Sequence, residues 1–342
     1  MKKLTFEHKV YLLRRSKKIF RRRLRRRKTV HKKILYREKL IAPKVLNLAN
    51  GETLKFLNDI RKNADDVRCS LYIDFKNIES ITPGCALVFA SELNRISIIR
   101  GKKNRLKVID FNKWNTNIKF LLRDMGMFEL LNIPNIPKEF LKTEHDSDIK
   151  FFKFISGDSI NGEKPIKYRE VIKQVVSGVP NEKKLQIAIT EAMDNSLYHG
   201  YPDDFIETSR LKEKRWWLSA SLNTKNNSLN FMFFDQGIGI PKSLPKVHPN
   251  LFEKLLTLFD PDDRIIEAAT IAGKSSTGKK YRGKGLPQII DYVSSYDKNG
   301  YIQITSGKGT YKLTKNEKKI VKKSSLNEYD INGTLIEWQL EL

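Results

Sequence analysis

Apolar residues in the C-terminal half recur at two spacings, one typical of helices and one typical of strands. One predicted helix carries its buried stripe at Leu185, Ile189, Ala192 and Met193. The nearly continuous apolar run of residues 228–234 predicts a buried strand. At the C-terminal end, strict alternation predicts a strand that carries Thr334, Ile336, Trp338 and Leu340 on one face and Glu337, Gln339 and Glu341 on the other. These patterns predict helices packed on a sheet.

The segment from residue 38 to residue 145 alternates between strand and helix patterns. Strands are predicted at 70–75 and 105–110, and helices at 83–94 and 115–125. The first of these helices opens on Pro83, a residue favoured at the first helical position. This order of elements predicts a small α/β domain.

Composition and charge divide the chain further. Its 342 residues suggest two domains of ordinary size. The net charge is +26, and residues 1–40 contain 18 Lys or Arg and two Glu, which leaves +10 for the other 302 residues. The basic character therefore belongs mainly to an N-terminal arm, residues 1–37.

The pattern of residues in the arm predicts a helix with a thin apolar seam and a cationic surface on its other sides. The seam is formed by Val10, Leu13, Phe20 and Leu24. Three interpretations fit such a surface: it neutralises nucleic-acid phosphates, it lies on an anionic membrane, or it is a solvated tail. We favour nucleic acid or another polyanion over a membrane, because the seam is too thin for strong membrane insertion.

Cysteine content and hydropathy indicate the compartment. The two cysteines, Cys69 and Cys85, have no partner at metal-ligand spacing, which predicts buried thiols in a reducing environment. The sequence contains no transmembrane segment, because no stretch reaches the apolar length of a membrane-spanning helix. We therefore expect a cytoplasmic protein.

Polar residues at a four-residue spacing are the first candidate for chemistry. Glu191, Asn195 and His199 fall on one face of the helix that ends at Gly200. A carboxylate orients a water or a hydroxyl, and an Asn oxygen binds Mg²⁺ when phosphates supply the remaining ligands. His199 has a simpler alternative role, which is to compensate the helix dipole.

Three glycine motifs follow in sequence order. Asp235, Gly237 and Gly239 come directly after the buried strand, where an Asp can accept from an adenine amino group and glycines allow close approach. Residues 282–286 (Arg-Gly-Lys-Gly-Leu) precede a helix, a position that favours phosphate. Residues 332–334 (Asn-Gly-Thr) open the last strand. Each motif alone also fits a solvated face, a turn or a helix cap; the ordered set is the specific signal.

Taken in order, these four motifs resemble the nucleotide-binding boxes of the GHKL ATPase superfamily, and most closely those of the anti-sigma-factor serine kinases. The resemblance covers residues 151–342 and implies ATP and Mg²⁺ as cofactors and an α/β sandwich with helices on one face of a mixed sheet. It implies that Glu191 is the general base, that Asn195 is the Mg²⁺ ligand, and that Asp235 contacts adenine. The remaining nucleotide-binding positions are His199, Gly237, Gly239, Gly283, Lys284, Gly285, Leu286 and Thr334.

The segment 40–140 resembles the STAS domain of anti-sigma-factor antagonists, by pattern more than by signature residues. Thr82 falls on the position that the partner kinase phosphorylates in that family, but Ile81 and Pro83 replace the flanking acid and the second hydroxyl. We interpret Thr82 as a helix N-cap in preference to a phosphoacceptor. A STAS-like and a kinase-like module on one chain suggests that the two dock in cis.

The predicted boundaries are an arm at 1–37, a STAS-like domain at 38–145, a connection at 146–165 and a GHKL domain at 166–342. Helices near 251–258 and 262–272 precede a cationic lid that ends at residue 283. Three functions remain open: a switch or kinase acting on a protein partner, an ATPase whose lid closure drives homodimerisation or clamping on nucleic acid, and an ATP sensor without turnover.

Overall fold

The computed structural model describes residues 36–66, 68–101, 106–131, 133, 136–141, 148–158, 181–249, 253, 260–271, 285–317 and 319–342. Residues 1–35 of the predicted arm lie outside these ranges, as do all but one residue of the helix predicted at 251–258.

Residues 36–141 form a parallel sheet with helices between its strands. The strands β1 (Tyr36–Ile41), β3 (Cys69–Asp74) and β5 (Lys107–Ile109) pair in the order β1-β3-β5. A short parallel pair, β2 (Val45–Leu46) with β4 (Ser80–Ile81), lies beside it. The helices are α1 (Gly51–Asp65), α2 (Pro83–Arg100), α3 (Thr116–Asp124) and α4 (Met127–Leu131), with short 3₁₀ turns at Phe111–Lys113 and Lys138–Leu141. The predicted alternation of strand and helix is confirmed, and α2 extends past the predicted end at residue 94.

The C-terminal part is built on an eight-stranded sheet. Its strands are β6 (Ile149–Phe151), β7 (Ile155–Gly157), β8 (Trp216–Asn223), β9 (Ser228–Asp235), β10 (Gly300–Ser306), β11 (Gly309–Asn316), β12 (Lys319–Leu326) and β13 (Thr334–Glu341). Their order is β12-β11-β10-β13-β9-β8-β6, and β7 also pairs with β8. The α/β class is confirmed. Every described pair in this sheet is antiparallel, where a mixed sheet was predicted, because short turns join β8 to β9, β10 to β11 and β11 to β12.

Two short strands lie in the segment that the sequence suggested was a connection. Residues 149–151 and 155–157 pair with β8 at the edge of the C-terminal sheet. Both strands have three residues, too few to give a recognisable alternation in the sequence.

One face of the C-terminal sheet is covered by helices α5 (Glu182–Asn195), α8 (Asp262–Ile271) and α9 (Gly285–Ser294). The apolar stripe of α5 packs with alternate residues of the strands, among them Phe231, Phe233 and Trp338. The predicted inward face of β13 is confirmed, since Ile336, Trp338 and Leu340 are buried in this core. Two shorter helices, α6 (Asp203–Thr208) and α7 (Ile240–Val247), lie between the strands in sequence.

The opposite face of the same sheet packs against the N-terminal part. Trp217 and Phe234 belong to one hydrophobic core with the buried residues of α1 and α2. Helix α2 is buried along most of its length, where it packs against helices α1 and α4 of the N-terminal part and against β8, β9 and β13 of the C-terminal sheet. This double burial explains why its apolar residues are not confined to one stripe.

The start of α2 meets the C-terminal sheet directly. Thr82 occupies the N-cap position, but its side chain caps no backbone N–H, so the N-cap interpretation holds for position only. The carboxylate of Glu337 lies against this first turn, where it accepts from the Gly84 backbone. Burial raises the pKa of Glu337 to about 7, although Lys312 and the Gly84 N–H oppose that rise.

Within the described ranges, none of the helices is both long and apolar enough to cross a bilayer.

Candidate functional site

Helix α5 carries the polar triplet predicted from the sequence. It is α-helical to Asn195 and continues as one π turn over residues 196–200, a feature frequent at functional sites. Glu191 and Asn195 are half-buried, and His199 is exposed. Gly200 ends this turn, as the sequence predicted.

The end of α5 lies directly against the glycine loop that follows β9. The N–H of Ile238 donates to the Gly200 carbonyl at 2.8 Å. A Cβ on Gly237 would overlap the Gly200 carbonyl, so only glycine permits this approach. The first two predicted motifs are therefore in backbone contact.

The Asn-Gly-Thr motif joins the same cluster from the next strand. Thr334 pairs with Asp235 across the ladder, and a Cβ on Gly333 would overlap the Asp235 carbonyl. The Ser306 hydroxyl donates to the Gly333 carbonyl at 3.0 Å and accepts from the Ile240 N–H at 2.9 Å. Three of the four motifs thus converge on Asp235.

The motif before α9 approaches from the other side of α5. A Cβ on Gly285 would lie 2.7 Å from Asn195 Nδ2, so this glycine packs on the carboxamide. Leu286 packs in the hydrophobic core and has no described polar role. Gly283 and Lys284 lie outside the described residues.

Asp235 is the most perturbed carboxyl group of the cluster. It is 5% exposed, and its Oδ1 accepts from the Gly237 N–H at 2.8 Å. Burial raises the pKa of Asp235 to about 7, although this hydrogen bond favours the charged form. A buried carboxyl with a pKa near neutrality is a common property of functional sites.

A second carboxylate accompanies Glu191 on α5. Burial, followed by the charge of Asp194, raises the pKa of Glu191 above its ordinary value. Burial also raises the pKa of Asp194, whose Oδ1 has no hydrogen-bond partner within the described ranges. Although His199 is exposed, partial desolvation of its ring and then the charge of the nearby His248 lower its pKa. The helix therefore offers a carboxylate pair poised for proton transfer or cation binding.

These residues fit a nucleotide with its metal better than a metal alone. The described residues contain no group of three or more His, Cys, Asp and Glu that could hold a metal ion. Mg²⁺ ordinarily takes one or two protein oxygens and completes its shell with phosphates and water. The carboxamide of Asn195 and the unpaired oxygen of Asp194 fit that pattern.

Sequence reasoning missed several residues of this cluster. Tyr201 donates to the Arg215 carbonyl and accepts from the Gln236 N–H at 2.8 Å, which fixes the loop. The only feature of the sequence that pointed to Tyr201 was its position directly after Gly200. Gln236 donates from Nε2 to Glu92 in the N-terminal part at 2.8 Å, a contact with no local pattern. No pattern in the sequence pointed to Ser306 either.

Comparisons with known proteins add little to this geometry. No family model matches the chain, and no curated protein matches it. One solved structure, the ATP-binding domain of topoisomerase IV of Francisella tularensis in complex with a small-molecule inhibitor, matches 54% of this chain and 73% of its own. The identity is 17% and the TM-score 0.22, values too low to support an argument.

Glycine substitutions test the contact between α5 and the loop. Gly237→Ala should destabilise the protein by about 1–3 kcal/mol, because a Cβ must displace the Gly200 backbone. Gly200→Ala is the matched control, since its Cβ would meet nothing closer than Asp235 Oδ1 at 3.6 Å. Thermal unfolding of both variants is the measurement. Equal losses from the two variants would contradict the described packing.

Proposed function

We propose that the C-terminal part binds ATP with Mg²⁺ in a pocket of GHKL type and uses it to phosphorylate or switch a protein partner. The observation that supports this best is the convergence of the four motifs. Gly237 packs on Gly200, Gly333 on Asp235, and Gly285 on Asn195. Convergent polar groups with perturbed pKa values, set among glycines that leave the backbone bare, are typical of a ligand-binding site.

Each polar residue has a distinct role in this proposal. The Asp235 carboxylate accepts from the adenine amino group, and the glycines around it let the base approach the backbone. Asn195 offers its carboxamide oxygen to Mg²⁺, which neutralises phosphate charge when bound. Glu191, with its raised pKa, takes the proton of the attacking hydroxyl or water.

The position of Thr82 favours a partner in trans. Helix α2 lies on the face of the sheet opposite α5, so Thr82 and Glu191 are separated by the sheet. The Glu337 carboxylate beside Gly84 also disfavours a phosphate at this helix start. We therefore propose that the accepting hydroxyl, if phosphate is transferred to protein, belongs to another chain.

Removing the charge of Asp235 should increase the stability of the fold and abolish ATP binding. The folded pKa of about 7 lies above the ordinary Asp value, so stability falls as the pH rises from about 4 to about 7 and then levels off. Asp235→Asn lacks this penalty and should be more stable at pH 8 by about 2–4 kcal/mol. It should also lose ATP binding, because the one amide oxygen remains engaged by the Gly237 N–H and the NH2 group then faces the adenine amino donor. Thermal unfolding and calorimetric titration with a non-hydrolysable ATP analogue measure both effects. Unchanged affinity would remove Asp235 from the pocket.

Glu191→Gln should retain ATP binding and reduce turnover by at least about 100-fold, because the amide cannot accept a proton. The measurement follows ATP labelled on its γ-phosphate. Label on an added protein indicates a kinase, and released phosphate indicates an ATPase. Glu207→Gln, an exposed carboxylate on α6, is the matched control. A Glu191→Gln variant as active as wild type would exclude Glu191 from the chemistry. Binding without turnover in the wild type would favour the sensor.

A second candidate, an ATPase that acts on nucleic acid, is favoured by a basic hairpin. Strands β11 and β12 and the turn before them contain Lys308, Lys312, Lys315, Lys319, Lys322 and Lys323. Lys312 faces Lys323 across the ladder and is close to Glu337, whereas Lys319, Lys322 and Lys323 on β12 are exposed to solvent and open to an external anion. This surface would act with the arm predicted at residues 1–37.

Neutralising this hairpin should change the salt dependence of binding. Replacing Lys319, Lys322 and Lys323 by Gln should reduce the slope of log affinity against log salt for a DNA duplex by about 2–3. The charge-matched control replaces the exposed Lys55, Lys62 and Lys138 of the N-terminal part. Lysines also protect exposed edge strands from pairing. Self-association of the hairpin variant with an unchanged slope would show that protection is their role.

A further inference from the structure

The loop that carries Asp235 is held by the N-terminal part of the chain. Gln236, the next residue, is buried, and its Nε2 donates to Glu92 Oε1 at 2.8 Å and to Ser91 Oγ at 3.2 Å. Both acceptors lie on helix α2. Because Gln236 stands between Asp235 and Gly237, its anchoring fixes the backbone on both sides.

Glu92 is itself fixed as a buried anion. Its Oε1 accepts from Arg61 Nε at 2.8 Å and its Oε2 from Arg95 Nε at 2.9 Å, while Arg95 also pairs with Asp65 at 2.6 Å. Burial alone would raise the pKa of Glu92, but the two guanidinium groups outweigh it and lower the pKa. The acceptor for Gln236 is therefore charged and held by α1 and α2 together.

The same network reaches the turn before β13. Arg61 donates from a terminal nitrogen to the Asn332 carbonyl at 3.2 Å, and Asn58 Nδ2 donates to the Asp330 carbonyl at 3.2 Å. Asn332 immediately precedes Gly333, which packs on Asp235. Two of the converging motifs are thus tied to the N-terminal part by hydrogen bonds to charged or amide groups.

We infer that Glu92 is a positioning residue for the nucleotide site, acting through Gln236 and Arg61, so that nucleotide affinity depends on this hydrogen-bond network from the N-terminal part. By thermodynamic linkage the coupling is reciprocal: a nucleotide that orders the loop also strengthens the contact of α1 and α2 with it. This inference rests on the proposed ATP binding and adds that the N-terminal domain is part of the binding apparatus.

Gln236→Met tests the link with little risk to folding. Met has a similar length and removes the donor, while Arg61 and Arg95 still neutralise Glu92. The side-chain oxygen of Gln236, Oε1, has no partner within the described ranges, so removing this oxygen leaves no donor newly unpaired. We expect the affinity for a non-hydrolysable ATP analogue to fall about tenfold, since hydrogen bonds to charged groups are among the stronger ones. The midpoint of thermal unfolding of the free protein should change by only about 2 °C.

The matched control is Asn94→Ala. Asn94 Oδ1 accepts from Trp217 Nε1 at 3.1 Å across the same interface, without contact to the loop. This variant should lower the unfolding midpoint but leave the nucleotide affinity unchanged. If it weakens nucleotide binding as much as Gln236→Met does, the effect belongs to the whole interface and the inference is wrong.

Hydrogen exchange supplies a readout that a purely structural role would not change. In the wild type, the nucleotide analogue should slow amide exchange in residues 83–100, and this protection should be lost in Gln236→Met. Wild-type binding together with unchanged Gln236→Met affinity overturns this inference alone. A wild-type protein that binds no nucleotide overturns the proposed function and this inference together.

Discussion

The backbone contact between Gly237 and Gly200 is the constraint on which the candidate site depends. It brings the end of α5, and with it Glu191 and Asn195, against the loop at the end of β9. Backbone atoms can approach this closely because Gly237 has no Cβ, while a Cβ on Gly200 would lie clear of the contact. The π turn at residues 196–200 places the Gly200 carbonyl at the contact, where it accepts from Ile238.

The second face of the sheet carries a different constraint. A sheet with helices on one face only would leave a row of large apolar residues in water, among them Trp217 and Phe234. Here α2 covers that row and becomes buried on both sides. The N-terminal part therefore completes a core of the C-terminal part. The charged network around Glu92 is correspondingly shielded from water. We interpret such a buried ion pair as fixing one packing arrangement of the N-terminal part more than as adding to the free energy of unfolding.

The sequence predicts what depends on local pattern. Alternation identified β13, helical spacing identified α5, and glycines after a buried strand identified the Asp235 loop. Contacts between distant residues leave no such pattern, which is why Gln236 was missed although it lies inside a recognised motif. The strands β6 and β7 were missed because three residues are too few to show a period. Thr82 was placed correctly at the start of a helix, but the group that meets this helix start is Glu337, 255 positions further along the chain.

Three carboxyl groups carry the most unusual electrostatics of the molecule. Asp235, Glu337 and Glu92 are all carboxyl groups shielded from water, yet only Glu92 has two guanidinium partners. The pKa of Glu92 is accordingly lowered, while those of Asp235 and Glu337 rise to about 7. A carboxyl left without a cation is costly to ionise and is retained where a ligand or helix end supplies the missing partner. For Glu337, the Lys312 ammonium group and the first turn of α2 offset the burial only in part. The Asp235 carboxyl, with one backbone donor, still has capacity to accept from a ligand.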